Sequence, residues 1–258
     1  MTNNNTLHQS DKVVVKRRKR NKKVYIFMFL GLFFLGAVLL AGYKISNSRT
    51  FQFFGSIIHR IDTQEKVVAL TFDDGPTQKT DEVLELLEGL DIKATFFVTG
   101  RELEENKKAG EKIVLAGHEL GNHSYSHTRM VLKSPGFIEK EISSTDKLIR
   151  EVGYQGHIHF RPPYAKKLAL LPYYLLRNNK KTIMWDVEPE SYPEIASSSE
   201  EIINHVLENV NPGSIILLHV MYESRRESLR SIEGIVTALK AEGYTFKTIS
   251  ELLKYEEK

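Results

Sequence analysis

The chain of 258 residues contains no cysteine. That absence excludes a disulfide framework, a thiolate metal site and a cysteine nucleophile. It fits the cytosol, and equally an exported protein that does without disulfides. The H-E-x-x-H motif of zinc peptidases is absent, as are internal repeats and low-complexity tracts. Net charge is also scarce, at +3, but it is unevenly placed. Residues 1–23 hold eight Lys/Arg and one acidic residue, whereas the other 235 residues hold 28 basic and 32 acidic. The larger part is therefore mildly acidic and gives no support for a nucleic-acid partner. Hydrophobic residues at 41% and charged residues at 27% describe a globular chain.

What is present begins with residues 24–43, VYIFMFLGLFFLGAVLLAGY, twenty residues without a charge. A helix of that length crosses roughly 30 Å of hydrocarbon. The basic run KRRKRNKK at 16–23 precedes it and reads as the cytoplasmic flank of a single-pass span. Ala37 and Ala41 are small, but no A-x-A cleavage site follows, so an uncleaved anchor is expected. The expected organisation is a basic cytoplasmic tail (1–23), a transmembrane anchor (24–43), a juxtamembrane linker (44–64) and an extracytoplasmic catalytic domain (65–258).

Beyond the linker, short apolar runs alternate with longer amphipathic segments. Strands are expected near 67–72, 94–98, 119–122, 157–160, 182–186, 214–219 and 245–247. Helices are expected near 80–88, 106–116, 136–152, 167–177, 199–209, 226–241 and 249–254. Seven βα units predict an α/β fold with a parallel sheet, open or closed into a barrel. Either form places active sites at the carboxyl ends of the strands. At those ends stand Asp73 and Asp74, His123 and His127, Arg161 and Tyr164, Asp186 with Glu188 and Glu190 behind it, and His219.

An Asp-Asp-Gly-Pro stretch alone reads as a turn. Beside the H-x-x-x-H spacing of His123 and His127 it reads as chemistry. Two imidazoles and a carboxylate make a catalytic Zn²⁺ site with a position left open, and the lack of cysteine disfavours softer metals. One aspartate then serves as ligand, and the other takes a proton from water that the cation acidifies.

TFDDGP, HSYSH, RPPY, WDVEPESY and ILLH, in this order, resemble the five motifs of the polysaccharide deacetylases, carbohydrate esterase family 4 with the NodB homology domain. The resemblance spans about residues 64–255. It implies a distorted (β/α)₇ barrel and metal-dependent removal of acetyl groups from an acetylated glycan. It implies Asp73 as general base, Asp74, His123 and His127 as metal ligands, and Arg161 as the residue that orients the base. It further implies the Tyr164 N–H as an oxyanion donor, Leu217 lining the acetyl-methyl pocket, and His219 as the general acid.

Three departures stand out. Ser191-Tyr192 occupies the place of the family's Asp-Trp, Val220 follows ILLH where Asp is common, and Ala165 follows RPPY where Gly is common. A serine cannot stabilise an imidazolium as a carboxylate does, so the pKa of His219 is expected to be less elevated unless Asp186, Glu188 or Glu190 substitutes. The expected function is de-N-acetylation of an N-acetylglucosamine polymer of the cell envelope, peptidoglycan or chitin-like, by a monomer. The rivals are an O-acetyl esterase and a non-catalytic glycan-binding relative that keeps its metal.

Overall fold

Strand β2 determines how the barrel is built. The computed structural model describes residues 5–256, with side chains from Lys22 onward. The first four residues of the expected basic tail, and the side chains of 1–21, lie outside it. Helix α1 spans Asn5–Asn47. Strand β1 is Ile57–Ile58, and β2, Val67–Asp73, is buried at all seven positions. A parallel strand covered on both faces has no polar side, so its sequence is continuously apolar.

The remaining strands are β3 (Thr95–Val98), β4 (Glu119–Asn122), β5 (Thr182–Ile183), β6 (Ile215–Leu218) and β7 (Thr245–Phe246). β2 pairs in parallel with β3, with β6 and, at its start, with β7. β3 continues to β4. The ring is completed by single bridges, Phe160 to Asn122 and Thr182, and Val187 to Ile216. The result is a distorted (β/α) barrel rather than an open sheet.

Alternation along β2 gives it two cores. Val68, Leu70 and Phe72 belong to the outer cluster with Val83, Leu87, Ile232 and Ile235 from the surrounding helices. Val67 and Ala69 belong to the inner cluster with Phe97, Trp185, Ile215 and Leu217. The same parity turns Thr71 and Asp73 toward the barrel interior.

The helices are α2 (Thr80–Gly89), α3 (Gly100–Glu105), α4 (Lys107–Leu115), α5 (Pro135–Glu151), α6 (Leu170–Arg177), α7 (Pro193–Ala196), α8 (Ser199–Asn209), α9 (Arg226–Ala241) and α10 (Ile249–Leu252). Their starts follow side-chain chemistry. Thr99, Ser134 and Ser198 each accept a first-turn N–H, and Thr248 with Glu251 forms a reciprocal capping box.

The expected strand at 157–160 is reduced to the bridges of Phe160, with the rings of His157 and His159 on one side of it at 4.5 Å. Helix α6 starts at Leu170 rather than 167, since residues 163–169 are used in a turn. The expected linker is partly structured: it supplies β1, paired in register with β5, and the buried Ile58 and Ile61. Residues 1–45 form one unit, and a second, compact unit begins at Ser46.

Because Ile58 is 7% exposed, Ile58→Ala is expected to cost about 2–4 kcal/mol. Chemical denaturation measures it. A soluble fragment starting at Ser46 is expected to melt well above one starting at residue 60.

Candidate functional site

β2 ends in a reversal that points its two carboxylates in different directions. Asp74 is held at φ 73° and Gly75 at φ 74°. A Cβ on Gly75 would lie 2.8 Å from Met221 Cγ, so only glycine fits this turn. The Asp74 N–H donates to the Phe97 carbonyl at 3.1 Å. Glu102 accepts from the Gly75 N–H at 2.7 Å and from the Thr99 hydroxyl at 2.7 Å, which ties the turn to the start of α3.

Asp74, His123 and His127 each present a ligand atom within 4.8 Å of the others. Asp74 Oδ1 lies 3.5 Å from His127 Nε2. His123 Nδ1 is 2.7 Å from the Arg161 carbonyl, a contact that places its proton on Nδ1 and leaves Nε2 as the ligand lone pair. Burial, and then the neighbouring His123, push the His127 pKa down and keep that ring neutral. Glu141 accepts from the N–H groups of Tyr125 and Ser126 at 3.1 and 2.8 Å, fixing the loop between the two histidines. One carboxylate and two imidazoles on a braced loop fit a divalent cation.

Asp73 stays outside this triad. Its Oδ1 accepts from Arg161 Nη1 at 2.7 Å, and its Oδ2 turns toward the donors, 3.6 Å from His123 Nε2. Arg161 is fully buried. It also donates to Thr71 Oγ1 and to the carbonyls of Ile183 and Met184, and its guanidinium lies over Phe97 at 4.0 Å. Burial alone would raise the Asp73 pKa. Arg161, with lesser help from His123 and His219, outweighs it and holds the carboxyl below its ordinary 3.8.

His219 follows the register pair Phe72–Leu218, so it stands beside Asp73 on the next strand. Its ring is hydrogen-bonded to Glu190, and its N–H donates to both Glu190 oxygens at 3.0 Å. Ser228 donates its hydroxyl to the same carboxylate. Burial would lower the His219 pKa. The bond to Glu190, with the charges of Glu190, Asp73 and Asp74, overrides it and raises the value to about 9.

This corrects the expectation of a weakened acid. The carboxylate comes from Glu190, one position before Ser191 and one methylene longer than Asp. Asp186 instead holds the start of β6 through Ser214 and the Ile215 N–H. Glu188 accepts from Ser191, the Trp185 indole and Arg49 at 2.8–2.9 Å.

Tyr164 sits in the turn after Arg161 at φ 56°, 53% exposed, with its ring 4.6 Å from His127. Ala165 follows at φ 58°, a left-handed position that glycine would occupy without strain. Leu217 lies in the inner core, paired with Thr71 below Asp73. Asp74, Ser124, His127, Tyr164 and Ala165 are five of the eight non-glycine residues with positive φ among the described residues. Backbone strain is thus concentrated at this end of the barrel. Sequence patterning missed Arg49, Glu102 and Glu141, since nothing in local spacing reveals a contact from a distant loop.

A family model for polysaccharide deacetylase matches residues 60–183. A peptidoglycan-N-acetylglucosamine deacetylase of Bacillus cereus is 31% identical over 203 residues, covering 78% of this chain and 95% of that protein. The chain belongs to the polysaccharide deacetylase family. A chitooligosaccharide deacetylase of Azorhizobium caulinodans is 30% identical, covering 74% of this chain and 96% of its own. Among solved structures, the Bc1960 peptidoglycan N-acetylglucosamine deacetylase matches with a TM-score of 0.72 at 28% identity, over 78% of this chain and 94% of that one. BA3943 of Bacillus anthracis, a pseudoenzyme of carbohydrate esterase family 4, matches at 0.68 and 30% identity, over 76% of this chain and 68% of that one.

The Asp73–Arg161 pair of this deacetylase-family barrel is buried on both sides, so breaking it strands a charge. Its contribution to stability is complete above pH 3.8 and fades as the pH falls through the lower folded value of Asp73. At neutral pH, Arg161→Met is expected to cost about 3–5 kcal/mol by denaturant titration. Adding Asp73→Asn to that variant is expected to recover part of the loss.

Proposed function

We propose that this protein is a membrane-anchored hydrolase that removes N-acetyl groups from an N-acetylglucosamine-containing envelope glycan, with peptidoglycan as the natural substrate. One observation carries the reading. Of two adjacent aspartates, Asp74 joins the histidine donors while Asp73 is held off them, ionised, by a buried arginine. A purely structural metal site would need only Asp74. The names of the Bacillus and Azorhizobium relatives support the substrate class.

Asp74, His123 and His127 would hold the cation, which we assign as Zn²⁺ from the donor types. A divalent cation in this position supplies Lewis acidity toward the amide carbonyl and toward a water molecule. Asp73 Oδ2 takes the water proton, and Arg161 keeps that carboxylate aimed and charged. The water oxygen bonds to the acetyl carbon, and the Tyr164 N–H steadies the oxygen that gains charge. His219, protonated and backed by Glu190, gives its proton to the sugar nitrogen as the carbon–nitrogen bond breaks. Leu217 forms the apolar floor for the acetyl methyl. Acetate and a free amine result. The strong support for His219 favours an amide over an ester, because an amine leaves only when protonated.

Helix α1 contains a segment, Lys22–Asn47, long and apolar enough to cross a membrane, with a mean hydropathy of 2.6 in its apolar stretch. We read it as the single-pass anchor of 24–43, with the barrel on the extracytoplasmic side.

Full-length protein in detergent is expected to release acetate from N-acetylglucosamine oligomers and from peptidoglycan. Chelation should abolish the activity and Zn²⁺ restore it. Asp73→Asn is expected to lower kcat by about 10²–10⁴-fold; equal activity in the variant would refute the assigned base.

His219 must be protonated to act, so the rate should hold through neutral pH and fall as the pH rises through about 9. In Glu190→Gln the main support of the imidazolium is gone, and the alkaline limb of the pH–kcat profile is expected to move down. Ser191→Ala should leave it in place.

A further inference from the structure

Eleven large apolar side chains beyond α1 are exposed among the described residues, and six of them lie in one area. They are Phe51, Phe53 and Phe54 from the segment after α1, and Leu170, Tyr173 and Leu176 from α6, each 41–50% exposed. Three of the others, Tyr164, Tyr192 and Tyr222, belong to the turn after Arg161, to the segment after Glu190, and to a residue hydrogen-bonded to Glu102, respectively. Leu115 and Leu132 stand singly.

The six come from two segments in contact. Phe54 meets Tyr173 edge-on at 5.6 Å, and Phe51 meets Phe53 at 5.7 Å. Leu170, Tyr173 and Leu176 recur at the three-residue spacing that puts them on one helix face. A Cβ on Gly55 would touch Leu176 at 3.3 Å, so the segment lies directly on that helix.

The segment is fixed in place. Gln52 is buried and donates to the carbonyls of Phe54 and Ser56 at 2.7 and 3.1 Å, drawing residues 52–56 into a tight loop. The Thr182 N–H then donates to the Ser56 carbonyl at 3.1 Å as the chain enters β1. With the Gln52 amide nitrogen turned inward and bonded, Phe53 and Phe54 of this loop, and Phe51 just before it, stay exposed. An apolar surface held outward in this way marks a contact with something other than water.

We propose that this surface rests in the headgroup boundary of the bilayer that α1 spans. The proposal rests on the reading of α1 as a membrane anchor. Chain connectivity points to lipid. Phe51 is four residues beyond Asn47, the end of the apolar helix segment, a distance that extended chain spans in at most about 14 Å. Wherever the barrel turns on that tether, the patch stays within reach of the interface. Its composition agrees, since aromatic rings collect at the headgroup level and aliphatic side chains sit just beneath. Exposed Arg177 on the last turn of α6 adds a cation for anionic headgroups. A sugar platform would use flat rings with hydrogen-bonding groups beside them, and Leu170 and Leu176 offer neither.

The lack of cysteine makes the test direct. Full-length protein with a single spin label at Phe53→Cys, Tyr173→Cys, Leu132→Cys or Leu35→Cys is placed in nanodiscs of phosphatidylethanolamine and phosphatidylglycerol. Collision with oxygen and with a water-soluble nickel chelate is compared at each site. Retained acetate release shows that each variant is folded. At sites 53 and 173 the oxygen-to-nickel ratio is expected to be several-fold above that at the 88%-exposed site 132, with site 35 deeper still. Water-like values at 53 and 173 with site 35 deep would overturn the docking surface and leave the anchor standing. Water-like values at site 35 would overturn both. Protection at 53 that requires added chitooligosaccharide would make the patch a glycan platform, and spin–spin broadening between copies would make it a dimer face. Either result would overturn the proposal.

Discussion

The buried ion pair between Asp73 and Arg161 organises the working end of this barrel. A guanidinium with no exposed surface depends on its hydrogen bonds, and Arg161 makes four of them to two sides of the barrel. It reaches Asp73 and Thr71 on β2 and the carbonyls of Ile183 and Met184 at β5. Its own carbonyl receives the proton of His123. One residue thereby fixes the charge state of Asp73, the tautomer of a donor histidine and the spacing of β2 and β5. Such a pair costs desolvation energy. Its retention fits a site that needs one carboxylate ionised and immobile beside a cation.

A second centre repeats this logic with opposite charge. His219 is a partly buried base made cationic by Glu190, just as Asp73 is a buried acid made anionic by Arg161. Burial works against the charged form of both, and in each a single bonded partner decides the outcome. The two centres stand at the ends of the paired strands β2 and β6, an arrangement that suits the proton acceptor and proton donor we propose.

The parts of this arrangement that sequence made legible were those with local signatures. β2, β3 and β6 read as apolar runs because both faces of a parallel strand are covered, and Asp73, Asp74 and His219 announced themselves as polar residues at the ends of such runs, with His123 and His127 marked by their spacing. Helices α8 and α9 were readable to the residue, since Ser198 caps one and apolar periodicity defines the other. The segment 157–160 reads as a full strand from the alternation of Ile158 and Phe160 with two histidines, but only Phe160 bridges its neighbours, at Asn122 and Thr182. Helix α3 escaped because six residues carry too little periodicity. β1 escaped because two isoleucines become a strand only by pairing with β5. Glu190 was one of three equivalent candidates in sequence; choosing among them required the path of a loop, which backbone turns and Ser228 determine.

The chain has one tryptophan, and it sits at a junction. Trp185 has the Arg49 guanidinium 4.7 Å from its ring centre and that of Arg161 5.5 Å away, and its indole N–H is bound to Glu188. All indole emission from the protein therefore originates where the segment leaving α1 meets the arginine that holds Asp73. Nearby cations and a bound carboxylate shift indole fluorescence through their fields, so this chain carries a built-in optical reporter. Its colour and lifetime register, without any label, whether the two arginines are in place.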